Sequence, residues 1–241
     1  MKLFQRIFFA AVLSGLVAGI SMSALQQWQV TPLILAAEVY EDGAADGAVA
    51  HEHASAVGSH ESEEATWAPQ DGTERLLYTV LANLLAAIGF ALLLAAVSVL
   101  SGISITARNG VLWGLAGFVV FQLAPAFSLP PELPAMPAAD LVGRQIWWWG
   151  CALATATAIF GVARFQNWPA VTIAIVLMLL PHVIGAPQLA GEHQSSVPAG
   201  LATQFVTATL FVGAAFWLCL GHLLGWLDER FARGVSVAVP A

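Results

Sequence analysis

Six histidines and fifteen acidic residues carry most of the chemistry available to this chain. Imidazole and carboxylate together suit borderline divalent metals such as Co, Ni and Zn. Ten of the fifteen acids fall between Glu38 and Glu74, with three histidines, His51, His53 and His60. His51-x-His53 is a weak capture motif within an acidic run; a simply solvated loop is the alternative. Glu38 and Glu41 stand three apart, so they share a face if a helix continues through them. Ligation and solvation both fit that pair. Glu132 lies in Leu129-Pro130-Pro131-Glu132-Leu133-Pro134, where prolines stiffen the backbone and fix where the carboxylate points. That suits a metal ligand, or a salt bridge to Arg144 or Arg75.

His182 is the sharper candidate. It sits in Leu180-Pro181-His182-Val183-Ile184-Gly185-Ala186-Pro187, between two prolines and a glycine. Pro181 has no N–H for the carbonyl of Leu177. Irregular backbone at membrane depth is tolerated only where it is buried in protein or lines a cavity. His182 is therefore either a ligand or a helix-end residue held by a backbone carbonyl. His193 is a further candidate, on the same outer side.

Other chemistries lack their residues. His51-Glu52-His53 is followed by Ala54 and Ser55, so there is no H-E-x-x-H, and no G-x-S-x-G or dinucleotide fingerprint occurs. Lys2 is the sole lysine, far from any glycine-rich loop, so a Walker A route to ATP hydrolysis is absent. Cys151 and Cys219 lie in apolar runs and form neither a disulfide framework nor a zinc spacing. The net charge of −7 argues against nucleic acid. No enzymatic activity and no permanently bound cofactor are expected; the metal would be cargo.

The elements that must position these residues are membrane spans. Of 241 residues, 59% are apolar and 10% charged, against about 25% charged in a soluble domain. Mean hydropathy is +0.78. The chain reads as an all-α polytopic membrane protein, a single domain over 1–241 whose principal partner is the lipid bilayer. Six apolar segments approach the roughly 20 residues that a spanning helix needs: about 7–25, 76–100, 111–127, 145–162, 168–184 and 201–227. The third and fifth segments are short, and five spans are the alternative count, with the first or the fifth segment the one in dispute. The first segment follows Lys2 and Arg6 like a signal peptide. It reads better as a retained span, because apolar character resumes at Val30. Residues 38–75 form an acidic outer loop whose composition favours poor order between about 42 and 66. Gly15/Gly19, Gly110/Gly114 and Gly221/Gly225 form GxxxG pairs suited to a compact bundle. Association into a homo-oligomer is left open. No span carries Asp, Glu, Lys or Arg in its middle. That bareness also suits a non-transporting scaffold or metal-delivery subunit.

These landmarks resemble the CbtA family, predicted cobalt transporter subunits of bacteria. The matching stretches include Ala36-Ala37-Glu38-Val39-Tyr40-Glu41, Trp67-Ala68-Pro69-Gln70-Asp71-Gly72-Thr73-Glu74-Arg75, Pro130-Pro131-Glu132-Leu133-Pro134, Arg144-Gln145-Ile146-Trp147-Trp148 and Leu180-Pro181-His182. The resemblance implies uptake of Co²⁺ across the inner membrane, linked to cobalamin synthesis, with a small one-span, histidine-bearing partner subunit (CbtB-type).

Orientation follows from the basic residues. With a cytoplasmic N-terminus, Lys2, Arg6, Arg108, Arg164, Arg230 and Arg233 lie inside, and Arg75 and Arg144 outside. Both termini are then cytoplasmic. Reporter fusions after Ala107 and after Arg233 are expected to report cytoplasm, and one within residues 43–58 periplasm. A periplasmic C-terminus would overturn the even count.

Overall fold

The computed structural model describes residues 2–40, 69–189 and 195–237. Those residues fold into seven helices: α1 (Lys2–Gln29), α2 (Thr31–Tyr40), α3 (Thr73–Ser101), α4 (Gly110–Ser128), α5 (Leu141–Phe165), α6 (Trp168–Ile184) and α7 (Ala199–Val237). No strand occurs among the described residues. The apolar run after Val30 becomes α2, set off from α1 by a single turn residue.

Local sequence explains the helix ends. Gly102, at φ 71°, takes the left-handed conformation that stops α3. The Asp140 carboxylate accepts the Gly143 N–H at 2.7 Å and caps α5. Gln166 and Asn167 alone join α5 to α6. Gln166 is left-handed at φ 48°, and the Asn167 side chain accepts the Ala170 N–H.

Five helices, α1, α3, α4, α5 and α7, are long and apolar enough to cross a membrane. α6 has 17 residues, about 25 Å at 1.5 Å per residue, slightly less than a hydrocarbon core of about 30 Å. It nevertheless runs antiparallel to α5 from their shared turn until His182 reaches the level of Trp147. Irregular backbone was expected around Pro181. Instead α6 continues through Pro181 and ends at Gly185, where φ is 86°.

The chain alternates between two ends of the bundle. One carries the proline-rich connector between α4 and α5. The other carries Arg6, whose guanidinium grips the Asp228 carboxylate with bonds of 3.0 and 3.2 Å. α1 and α7 thus meet at this end, Arg6 near the start of α1 against Asp228 of α7.

The interior is built from small residues and a few aromatics. Ala10, Ala11, Ala18, Ala87 and Ala91 let α1 and α3 close on each other, and Trp217, Phe216 and Leu220 of α7 fill the centre. All three GxxxG pairs lie where backbones touch. A Cβ on Gly15 would sit 2.7 Å from the Ile88 Cα, and one on Gly19 3.1 Å from the Leu84 Cα. Cβ atoms on Gly110 and Gly114 would overlap the carbonyl oxygens of Gly221 and Trp217. On Gly225 the overlap would be with the Thr106 carbonyl. The outer faces are apolar and exposed, as at Leu85, Leu153 and Ile173, which fits a lipid environment.

Gly221→Ala should force α4 and α7 apart, costing about 1–3 kcal/mol from overpacking. Gly150→Ala, with nothing within 4 Å of the added methyl, should be near neutral. Thermal unfolding of the two variants in detergent checks this; equal midpoints would contradict it.

Candidate functional site

The connector end gathers the described candidate ligands. α4 changes character as it approaches this end. Over Val119–Leu123 its turn widens, and the Ala124 N–H bonds to the Val119 carbonyl five residues back. Pro125 contributes, because it cannot donate to the Phe121 carbonyl. Wider turns of this kind recur at functional sites. Here the turn carries Gln122 inward, packed on Gly213 of α7, and brings α4 to its end at Ser128.

Ser128 Oγ lies 2.8 Å from His182 Nδ1. The expected backbone carbonyl partner is replaced by this hydroxyl. The ring stands edge-on to Phe127 and Trp147, with centroids 5.2 and 5.9 Å away. Trp147 Nε1 in turn donates to the Pro181 carbonyl at 3.1 Å. That carbonyl also accepts the Gly185 N–H, so it anchors both the indole and the end of α6. His182 borders a cavity of about 660 Å³ that is otherwise apolar, lined by Val119, Leu123, Phe127, Met178 and Leu210 among others.

Glu132 is paired. Its carboxylate meets Arg144 Nη2 at 2.7 Å, with both side chains about a quarter exposed. The neighbouring Leu133 is buried with Val30, Ala37, Val197 and Phe205, which fastens the connector to α1, α2 and α7. Glu38, on α2, forms an ion pair with Arg75, whose guanidinium also binds Asp71 at 2.9 Å. Of the alternatives open for Glu132, the salt bridge is the one formed.

Glu38, Glu132 and His182 therefore share an end of the bundle but have separate partners. Among the described residues, no three His, Cys, Asp or Glu side chains come together closely enough to hold one ion. Glu41, His51, His53, His60 and His193 lie outside the described residues. Each carboxylate is paired with an arginine, Arg75 being shared with Asp71, whereas His182 offers a ligating group without a counter-charge. A divalent ion could meet the carboxylates through its water shell, or directly by displacing an arginine.

Sequence reading missed two polar clusters. Asn83 Nδ2 donates to Gln26 Oε1 at 2.6 Å and to Ser23 Oγ at 3.1 Å, joining α1 to α3. Gln122, Arg144 and Thr209 line a second, smaller cavity under the connector. Isolated Asn or Gln residues in otherwise apolar runs were the available signal.

The Glu132–Arg144 pair should hold the connector against α5. Glu132→Gln or Arg144→Met alone should lower stability by about 1–2 kcal/mol, less than for a fully buried pair because water reaches both groups. The exchange Glu132→Arg with Arg144→Glu should recover part of that loss. Detergent melting curves of the three variants test it; an exchange variant no better than the worse single change would overturn the pairing.

A family model described as "Probable cobalt transporter subunit (CbtA)" matches residues 4–229, nearly the full length. No curated protein and no solved structure matches the chain. With its multi-pass helical architecture and its chemistry gathered at one end, the chain belongs to the CbtA family of probable cobalt transporter subunits.

Proposed function

We propose that this chain takes up Co²⁺ across the bacterial inner membrane, as one subunit of a transporter supplying cobalamin synthesis. The observation that carries the reading is the family match over residues 4–229. It is supported by the placing of Glu38, Glu132 and His182 at the connector end. That end would face the periplasm, with both termini cytoplasmic.

Capture would begin along the acidic stretch between α2 and α3, through His51, His53, His60, Glu41 and nearby acids. His193 would add to the same face. Weak ligands suit this step, because a conduit must also release its ion. The ion would then pass Glu38 and Glu132 to His182. The membrane potential favours entry by about 4.6 kcal/mol for a divalent cation at 100 mV. A small one-span, histidine-bearing partner subunit would complete the machine, and copies of the chain could associate into a homo-oligomer.

A second reading is a metal-delivery or scaffold subunit for another permease. It is favoured by the bundle centre, which is built of alanine, glycine and aromatic side chains around Trp217. Proteoliposomes holding this chain alone separate the two: Co²⁺ accumulation supports transport by the chain itself, and its absence supports the subunit reading.

His182 gives the sharpest residue test. A ligating imidazole must be deprotonated, so uptake should weaken as the outer medium is acidified. His182→Gln keeps hydrogen bonding but loses the nitrogen ligand, and should abolish uptake at low metal while membrane abundance stays normal. Ser128→Ala, which leaves the ring unoriented, should lower apparent affinity about tenfold. Uptake by His182→Gln equal to that of the parent would make His182 a structural residue and move the metal path elsewhere.

A further inference from the structure

The two ends of the bundle treat their arginines differently. At the connector end both are paired, Arg75 with Glu38 and Asp71, and Arg144 with Glu132. The end that carries Arg6 holds six of the eight basic residues but only two of the fifteen acids, Asp228 and Glu229. Those two acids bind Arg6 and Arg233. Arg108 lies in the turn before α4, and Arg164 in the last turn of α5. Both are exposed, and neither meets a carboxylate among the described residues.

The same end is open between helices. α5 packs on α6, and it meets α4 over Val119–Ser128, the half nearer the connector. Gly110–Phe118 forms no packed interface with α5 or α6, and neither does α7. A wedge is therefore left between the α5–α6 hairpin and α4, opening toward Arg108 and Arg164. The helices beside it are apolar, with Leu112 and Leu115 of α4 and Phe160 of α5 exposed. At its mouth Phe165 and Trp168, 63% and 77% exposed, bracket the hairpin turn. Exposed aromatics beside a basic residue at a helix end are the pattern of a membrane–water interface.

The occupant must therefore be amphiphilic. An acyl chain fills an apolar wedge without hydrophobic cost, whereas water is poorly suited to it. The guanidiniums call for an anion at interface level, and they bond phosphate through paired N–H groups. The ammonium of a zwitterionic headgroup offsets that attraction; an anionic headgroup keeps it. A second copy of this chain docked here by two-fold symmetry would bring another set of unpaired arginines to the same interface, so charge favours lipid. We propose that this wedge binds an anionic phospholipid of the leaflet at that end, its phosphate held by Arg108 and Arg164 and an acyl chain lying between α4 and α5. Trp168 and Phe165 set the depth of the mouth.

Native mass spectrometry of the intact chain tests this without metal, so its outcome is independent of the transport reading. The chain is released from detergent that holds equal amounts of phosphatidylglycerol and phosphatidylcholine of one chain length. Each basic residue near a membrane surface is worth about fivefold in affinity, so the parent should retain phosphatidylglycerol about twentyfold over phosphatidylcholine. Arg164→Gln should cut that preference about fivefold, and Arg108→Gln with Arg164→Gln should remove it. Arg233→Gln, at the same end but on an arginine paired with Glu229, should leave it within about twofold. Equal retention of the two lipids by the parent overturns the proposal. So does a preference undiminished in the double variant, or one lowered as much by Arg233→Gln as by Arg164→Gln, which would make the effect one of net charge. A lipid-free mass of two copies also overturns it, because a second chain would then fill the wedge. Should the double variant fail to fold, Arg164→Gln alone decides, and an unchanged preference there is equally fatal.

Discussion

The backbone contact between α4 and α7 sets the rest of the bundle. In lipid there is no hydrophobic force to drive one apolar helix against another, so association depends on close packing and on interhelical hydrogen bonds. Gly110 and Gly114 on α4 meet Gly221 and the Trp217 carbonyl on α7 at distances that exclude any Cβ. With α4 clamped to α7 near the terminal end, its course toward the connector is constrained. The wider turn at Val119–Leu123 lies beyond the clamp, where α4 also packs against α5. Gln122, packed on Gly213, and Ser128, beside His182, both lie on this stretch of α4. α5 and α6 pair mainly with each other and reach the rest of the bundle chiefly through this stretch of α4.

Much of this was legible in the residues. Glycines four apart marked the two interfaces, α1 with α3 and α4 with α7, where backbones touch, and Asp140, Asn167 and Gly102 end helices by known capping chemistry. The candidate at Glu132 was legible as one of two outcomes, and charge proximity selected the salt bridge to Arg144. Two things were not legible. Pro181 suggested a break, yet a helix can absorb one missing bond when the turn is held from outside. Here Trp147 Nε1 binds the Pro181 carbonyl, a contact between residues far apart in sequence. The widened turn of α4 depends on packing against Gly213 and on Pro125 together, and no local pattern of apolar residues encodes that combination.

The charges at the connector end impose a further constraint on any divalent cargo. Arg144 neutralises Glu132, whereas Arg75 is shared between Glu38 and Asp71 and leaves that cluster one negative charge. A neutral pair such as Glu132–Arg144 attracts a dication weakly, and that favours passage over retention. The same arginines keep the carboxylates from being orphaned in a partly buried setting, where a lone charge would be costly. A strong, charge-rich binding site at this position would conflict with the need to let the ion go.

His182 is exempt from that bargain, because a neutral imidazole can ligate without first losing a cationic partner. Its competence depends on the direction of one hydrogen bond. When Nδ1–H donates to Ser128 Oγ, Nε2 carries the lone pair and can bind a metal. When Ser128 donates to Nδ1, Nε2 carries the proton and cannot. The hydroxyl that fixes the ring plane thus also selects the tautomer, as outer partners of ligating histidines commonly do. Phe127 and Trp147 crowd the ring edge-on, so rotation away from Ser128 is hindered and the proton on that bond becomes the remaining variable. The position of a single proton between Ser128 and His182 then separates a helix-end residue from a metal ligand.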